Sequence, residues 1–248
     1  MIITNKLGLP QAIVDAISND PYDDEDTGWV SVTKLINPPR IRLLAQGHGD
    51  TIEEDASERI WALLGQSVHT ILERSGGGKV VEQRFRAIVA GRELTGRVDL
   101  VDHEGILWDY KVTGAYSVMG EPKAEWVRQL NVLDWLLRQN GVDVSGLRIA
   151  AIIRDWSQYK ATGRNSYPLA PAVTVDIPRW SPEAQDLYVR AQMAHHIAQS
   201  IGYGDWTEPD VCPPEDRWVD AAGKNRRCES YCPVRTVCDF AINMRTKK

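Results

Sequence analysis

The chain has 248 residues, of which 43% are hydrophobic and 25% are charged, and its formal net charge is −5. This balance is typical of a globular protein that buries a core, and no run of about 18 apolar residues predicts a membrane span. The acidic total excludes a uniformly basic surface. It leaves room for nucleic-acid binding, because binding requires only a local stripe of Lys and Arg.

The N-terminal part of the chain predicts a loop and one long helix. It shows neither a basic leader nor a small-residue cleavage site, so we expect a cytoplasmic protein. Residues 19–28 are polar and acidic and predict a loop, and residues 29–36 predict a short strand or a docking segment. Thr51 followed by Glu54 has the spacing of a capping box and predicts a helix start. Apolar residues then recur at helical spacing until Ser75–Gly78 ends the helix.

The remaining chain alternates strand-like and helix-like segments. Strands are predicted at 79–89, 93–101, 105–113, 148–156 and 172–177, and helices at 122–141 and 181–201. This order predicts an α/β fold, with a mixed sheet flanked by helices and a cysteine-rich C-terminal module. We expect three successive domains: an N-terminal extension packing on the core (1–50), the core (51–205) and a metal-binding tail (206–248).

The stretch "GRVDLVDHEGILWDYKVTG", residues 96–114, places charged residues in two apolar strands. A three-residue loop, His103–Gly105, would pair Asp99 with Asp109 on one face of the hairpin. Lys111 would share that face, and Tyr110 would point away. Opposed like charges destabilise a sheet. Either a divalent cation such as Mg²⁺ holds the carboxylates, or Lys111 neutralises a surface pair, and the pattern alone leaves both open.

"GRVDLVDHEGILWDYK" resembles the core motif of the PD-(D/E)xK nuclease superfamily, in which an Asp precedes Asp/Glu-x-Lys on the neighbouring strand. Upstream, "GQSVHTILER" resembles the G-x-x-x-H-x-x-L-E motif of the RecB-like branch, which includes many phage exonucleases. "RQLNVLDWLL" lies where that branch has Q-x-x-x-Y, although Leu133 stands in place of the Tyr. The motifs follow the family's order within residues 60–140. The resemblance implies a PD-(D/E)xK restriction-endonuclease-like core.

The resemblance also implies a metal site. Asp99 and Asp109 would bind Mg²⁺ or Mn²⁺, with His69 and the backbone carbonyl of Tyr110 as further ligands. Without the motif, His69 would be interpreted as an ordinary helix-surface or buried histidine.

The same resemblance assigns catalytic roles to Asp99, Asp109 and two further residues. Lys111 would position the attacking water and stabilise charge on the phosphate. Gln129 would hold the DNA backbone or position Lys111, and the alternative is an exposed helix residue. Glu82 lies before the hairpin, and we interpret it as a solvent-facing strand residue, with a carboxylate beside the metal as the alternative.

The implied function is a Mg²⁺-dependent DNA exonuclease that hydrolyses phosphodiester bonds at DNA ends, in phage or prophage recombination or replication. DNA is the expected partner, and a phage recombinase or single-strand-binding protein is a further candidate. A phage-encoded chain would act in the cytoplasm of a bacterial host. The competing interpretation is a non-catalytic DNA-binding or assembly module that retains the nuclease fold.

All four cysteines lie in the last 40 residues, at Cys212, Cys228, Cys232 and Cys238. In a reducing compartment this clustering favours one metal centre over disulfides. The last three resemble the C-x₂-C-x₅-C of iron–sulfur nucleases in the RecB-like branch, with one residue more in the first gap. We therefore expect a [4Fe–4S] cluster, and a Cys₄ zinc site is the alternative.

Three groups of basic residues are candidates for a nucleic-acid-binding stripe, although an ordinary solvated surface is the simpler interpretation of each. The groups are Arg40 with Arg42, Arg154 with Lys160 and Arg164, and Lys224 with Arg226 and Arg227. The nine tryptophans are expected to lie mostly in the core. Trp126 and Trp156 are candidates for base stacking, but no motif selects them.

Overall fold

A computed structural model describes residues 1–19, 29–163, 166–201, 203 and 208–246. Most of the loop predicted at 19–28, and Arg164 of the second basic group, lie outside these residues. The described strands are β1 (Ile2–Thr4), β2 (Val30–Ser31), β3 (Glu53–Asp55), β4 (Val80–Val89), β5 (Arg92–Val101), β6 (Ile106–Thr113), β7 (Gly146–Ile153) and β8 (Ala172–Asp176). The described α-helices are α1 (Gln11–Ser18), α2 (Val32–Leu35), α3 (Pro39–His48), α4 (Ile60–Ser75), α5 (Ala124–Gln139), α6 (Gln158–Gly163), α7 (Pro182–Ser200) and α8 (Asp239–Thr246).

Six strands form one mixed sheet, as expected. The order is β2-β5-β6-β7-β8. β4 also pairs with β5, as its antiparallel hairpin partner. β2 runs parallel to β5, β6 runs parallel to β7, and β5–β6 and β7–β8 are antiparallel. Helix α4 packs against β6, and α5 packs against β4 to β7. The predicted α/β class, with a mixed sheet flanked by helices, is confirmed.

Helix α5 packs on β5 through a glycine. Leu130, Leu133, Leu136 and Leu137 of this helix are all buried. A Cβ atom at Gly96 of β5 would lie 2.7 Å from Leu133 Cδ2 and 2.8 Å from Val32 Cγ2. Such distances are shorter than carbon–carbon contacts allow, so a side chain at Gly96 would have to displace those of Leu133 and Val32. Leu133, which stands where the family has Tyr, is therefore a core residue.

One local prediction was wrong at the start of the core. The segment expected to begin a helix at Thr51 forms β3, which pairs in parallel with β1 through Ile2–Glu53, Ile3–Glu54 and Thr4–Asp55. Helix α4 begins only at Ile60. The pairing with a strand 51 residues earlier overrides the local capping pattern, as tertiary contacts often do.

The chain packs as two compact units, each assembled from several segments. The first contains β1, α1, α3, β3, the end of α7 and the cysteine-bearing tail. The second contains β2, β4–β8, α4–α6 and the beginning of α7. The division into three successive domains at residues 50 and 205 stays a prediction. Among the described helices, none is both long and apolar enough to cross a bilayer.

Candidate functional site

The hairpin β5–β6 has the predicted loop. Leu100 pairs with Trp108 and Val101 with Leu107, and the Asp102 amide donates to the Ile106 carbonyl across the turn. Gly105 has a φ of 84°, a left-handed conformation that favours glycine. One carboxylate oxygen of Asp102 accepts from the Ile106 amide and the other from the Trp108 indole. This local network fixes the register that places Asp99 beside the strand of Asp109.

The strands part at Asp99, and its side chain replaces the backbone pairing. The β5–β6 ladder ends at Leu100–Trp108 and does not include the predicted Asp99–Asp109 pair. The Tyr110 amide instead donates to Asp99 Oδ2 at 2.7 Å. The Tyr110 ring lies edge-on to the His69 ring, with 5.9 Å between the centroids. The carboxylate is thus held at the opening between two strands, where its second oxygen faces the helix that carries His69.

Asp109 is the centre of a polar network on β6. It is 4% exposed. Its Oδ2 lies 2.7 Å from Lys111 Nζ, and its Oδ1 accepts a 2.8 Å hydrogen bond from Gln129 Nε2 of α5. The structure therefore brings three of the predicted residues together, and Gln129 is directed at Asp109 rather than lying free on the helix surface.

The second cluster joins α4, β4 and β5. Ligand atoms of His69, Glu82 and Asp99 all lie within 4.8 Å of one another. His69 Nδ1 is 3.3 Å from Glu82 Oε1 and 3.6 Å from Asp99 Oδ1. Two carboxylates and one imidazole are ligands that divalent metal ions accept in proteins.

The preferred interpretation of Glu82 from the sequence was wrong. We expected a solvent-facing strand residue, but its side chain is 2% exposed and accepts a 2.8 Å hydrogen bond from Arg97 Nε. The β4–β5 register pairs Val81 with Leu100 and Gln83 with Val98, so Glu82 stands opposite Asp99. The usable signal was the Ala90–Gly91 turn, whose two positive φ angles are typical of a two-residue hairpin that aligns these two carboxylates.

The backbone at Glu82 is strained. Its φ is 46°, in the left-handed region that non-glycine residues rarely adopt. The cost is on the order of 1–3 kcal/mol, and such strain is concentrated at functional sites. The ladder is interrupted there, and the carboxylate is directed toward His69 and Asp99.

The carboxylates strongly influence one another. Burial, and then the neighbouring Asp109, raise the pKa of Asp99 to about 7. Burial opposes the charged form of Lys111, but Asp109 and Asp99 outweigh it and raise its pKa. Burial also opposes protonation of His69, whose pKa is nevertheless raised by its contact with Glu82 and by Asp99. The pocket therefore favours added positive charge, as a divalent cation would provide.

The four cysteines carry free thiols and line one cavity with Arg40 and Arg217. Burial, and then the sulfurs of the other three cysteines, raise the pKa of Cys212 to about 12. Among the described residues, no three cysteine sulfurs lie within 4.8 Å of one another. In a tetrahedral zinc site with Zn–S bonds of about 2.3 Å, the sulfurs would be about 3.8 Å apart.

The first predicted basic patch was wrong, because Arg40 and Arg42 are 3% and 7% exposed. Arg40 Nε donates to Cys238 Sγ at 3.4 Å, and its terminal nitrogens contact the Pro209 carbonyl and Asp239. Arg42 Nε donates to Nδ1 of the buried His196 at 3.3 Å. These partners lie more than 150 residues away in sequence, and they satisfy charges that would otherwise remain in water.

Comparison with known proteins agrees with this architecture. The protein SSO0001, whose crystal structure is known, superposes with a TM-score of 0.57 at 18% identity, over 94% of this chain and 98% of that one. A proposed exonuclease from Eubacterium rectale shows a weaker likeness, with a TM-score of 0.38 at 15% identity over 63% and 56% of the two chains. No curated protein sequence matches significantly. The profile of the PD-(D/E)XK nuclease superfamily matches residues 53–239, and the chain therefore belongs to the PD-(D/E)XK nuclease superfamily.

Proposed function

We propose that this chain is a Mg²⁺- or Mn²⁺-dependent DNA exonuclease of the RecB-like kind. The observation that supports it is the convergence of His69, Glu82 and Asp99 beside the Asp109–Lys111 pair. These side chains come from one helix and three strands, and none of them belongs to the hydrophobic core. Their grouping joins a carboxylate–imidazole cluster to a lysine, which is the chemistry that phosphodiester hydrolysis requires.

His69, Asp99 and Asp109, with the backbone carbonyl of Tyr110, would hold the metal ion, and the structure adds Glu82 as a further candidate. The bound ion would supply Lewis acidity and lower the pKa of a coordinated water. The residues present fit such an ion, because burial, and then the neighbouring Asp109, raise the pKa of Asp99 to about 7. A divalent cation would offset this repulsion.

Lys111 would act on the water and on the phosphate. Its ammonium group is anchored 2.7 Å from Asp109 Oδ2, and its raised pKa keeps it charged at neutral pH. A fixed ammonium orients a water molecule through a hydrogen bond and stabilises negative charge that develops on a phosphate oxygen. Gln129 would be a positioning residue, because its hydrogen bond to Asp109 Oδ1 orients the carboxylate.

The competing function is a non-catalytic DNA-binding or assembly module. A DNA-binding or assembly module would not need buried carboxylates that repel each other. The strained Glu82 and the raised pKa of Asp99 both oppose folding in the absence of a cation. The intact Asp109–Lys111 pair therefore favours the enzyme.

The four-cysteine cavity would hold a [4Fe–4S] cluster, with zinc as the alternative. The shared cavity supports one metal centre, because all four cysteines line it. Arg40 is suited to such a ligand, because its guanidinium donates to Cys238 Sγ and would offset the negative charge of four thiolates. The group would stabilise the tail, which is a structural role.

The biological setting that fits a nuclease of this kind is phage or prophage recombination or replication, in the cytoplasm of a bacterial host. DNA would be the substrate, and a phage recombinase or single-strand-binding protein would be a partner. Hydrolysis would leave a 5′-phosphate and a 3′-hydroxyl, as the family resemblance implies.

One assay tests the activity. End-labelled linear DNA and covalently closed circular DNA are incubated with Mg²⁺, Mn²⁺ or EDTA. An exonuclease shortens the linear DNA progressively, spares the circle and stops in EDTA. Cleavage of the circle would indicate an endonuclease, and no cleavage under any condition would favour the non-catalytic module.

A further inference from the structure

Trp61, in the first turn of α4, is not a core residue although most tryptophans are expected to be. Its side chain is 53% exposed. The Arg154 guanidinium lies over the indole, with its Cζ 4.5 Å from the ring centroid, in the geometry of a cation–π contact. An exposed indole with a cation on its face is a surface that binds both a flat ring and a phosphate.

This pair lies beside the candidate active site. Trp61 precedes His69 by eight residues on the same helix, which is about 12 Å along the axis. A Cβ atom added at Gly65, between them, would meet nothing within 4 Å, so this part of the helix surface is open. The Arg154 amide donates to the Thr113 carbonyl. Thr113 follows Lys111 by two residues on the same side of β6, a distance of about 7 Å.

A second cation, Lys123, lies within electrostatic range of Arg154. Lys123 directly precedes α5, the helix of Gln129, and its Nζ is 5.2 Å from the Trp126 ring centroid. Burial and the nearby Arg154 both lower the pKa of Lys123, while Glu125 acts in the opposite direction. Within the part of the chain that the structure describes, neither Arg154 nor Lys123 forms a salt bridge with a carboxylate. Two cations that no carboxylate contacts directly are suited to an anion, although Glu125 lies near Lys123.

We propose that Trp61, Arg154 and Lys123 bind a single-stranded segment of the DNA substrate next to the active site. Trp61 stacks an unpaired base, and Arg154 and Lys123 contact the phosphates of the same strand. A base inside a duplex is already stacked on its neighbours, so an indole platform selects an unpaired one. The inference rests on the proposed nuclease function and extends it, because it names the substrate as DNA with an unpaired end.

The test is equilibrium binding of a fluorescein-labelled oligothymidylate by fluorescence anisotropy, in EDTA so that no metal-dependent cleavage occurs. Trp61→Ala should weaken binding about tenfold, and Trp61→Phe should restore most of it. Neither change should alter binding of a blunt duplex. Arg154→Ala should also weaken binding of the single strand. It should reduce the slope of log Kd against log salt by about 0.7, because one phosphate contact is lost.

Arg148→Ala is the matched control. Arg148 also lies over a tryptophan, Trp108, at 5.4 Å. Trp108 precedes Asp109 on β6, so its side chain points to the other face of the sheet. This variant should bind like the wild type. Circular dichroism melting confirms that each variant is folded.

Wild-type affinity in Trp61→Ala, or an unchanged salt slope in Arg154→Ala, would overturn the proposal. An equal loss on the blunt duplex would show a general DNA contact and would also overturn it. Cleavage of the same oligonucleotide by the wild type in Mg²⁺ is measured separately. Failure to cleave, with the binding pattern intact, counts against the proposed function alone.

Discussion

Gln129 Nε2 donates a 2.8 Å hydrogen bond to one oxygen of Asp109, while the other oxygen lies 2.7 Å from Lys111 Nζ. The orientation of this buried carboxylate is therefore set by one neutral donor and one cation. The donor comes from α5 and the cation from the carboxylate's own strand, so the packing of the helix on the sheet is coupled to the geometry of the site.

Removal of the side chain of Asp109 or of Lys111 should abolish DNA cleavage. We expect Asp109→Ala and Lys111→Ala to reduce the rate about a hundredfold or more, measured on end-labelled linear DNA with saturating Mg²⁺. Neither side chain supplies apolar packing, so the far-ultraviolet circular dichroism spectrum should be retained. Asp176→Asn, on the exposed side of β8, is the control. Near wild-type cleavage by either variant would refute the site assignment.

Gln129→Ala should lower kcat more than it raises KM, because the amide orients the Asp109 carboxylate. We expect a loss of about tenfold. Gln129→Glu should be worse, since it places a carboxylate against Asp109. Gln139→Ala, at the exposed end of the same helix, should leave both constants unchanged. A change confined to KM would instead indicate that Gln129 contacts the DNA.

His69→Ala and Glu82→Gln should weaken metal binding. Both side chains belong to the cluster whose ligand atoms lie within 4.8 Å, and loss of such a group costs about tenfold or more in metal affinity. Titration calorimetry with Mn²⁺ measures the change, and raised Mn²⁺ should partly restore cleavage. The control is Glu183→Gln, an exposed residue in the first turn of α7. A defect that no metal concentration relieves would point to a structural role.

The stability of the metal-free protein should fall as pH rises. The pKa of Asp99 is raised to about 7 by burial and by Asp109, whereas an unfolded Asp titrates at about 3.9. Between these values the folded state retains a proton that the unfolded state has lost, so the protonated fold is favoured at low pH and stability is lost toward pH 7. The raised pKa of His69 acts in the same direction.

Thermal melting in EDTA at pH 5 and pH 8 tests this expectation. Compared with the wild type, Asp99→Asn should lose less stability between the two values, by an amount on the order of a few kcal/mol. The opposite contribution of His196, whose pKa is lowered to about 4 by burial and by Arg42, cancels in this comparison. Mn²⁺ should stabilise the wild type more at pH 8 than at pH 5, and parallel pH profiles without metal would contradict the prediction.

Anaerobically purified protein should contain iron and sulfide bound at the cysteine cavity. Cys232→Ser should lose the visible absorbance of the cluster, and Arg40→Leu should lower cluster occupancy because an uncompensated thiolate charge is costly to bury. Arg217→Leu, which removes the other arginine of the cavity, provides the comparison. A colourless protein with stoichiometric zinc would establish the zinc alternative. Absence of both iron and zinc would show that the cysteines do not form a metal site.

Much of the site could be predicted from the sequence because its elements are local. The hairpin that carries Asp99, Asp109 and Lys111 is set by a turn whose capping residue, Asp102, lies within the same few residues. Strand alternation then places the side chains. The helices that bear His69 and Gln129 follow from apolar periodicity, which short-range geometry dictates.

Only the tertiary structure decided which other charged residues are buried. Glu82 enters the site because the β4–β5 register places it opposite Asp99 and a left-handed backbone directs it toward His69. That backbone conformation is not visible in a strand-like stretch of sequence. Arg40 and Arg42 look like a surface patch in the sequence, yet they find partners at Cys238 and His196. A charge can be buried only where a distant segment supplies its partner. The local sequence therefore determines the strand or helix, and the assembled fold determines what that element faces.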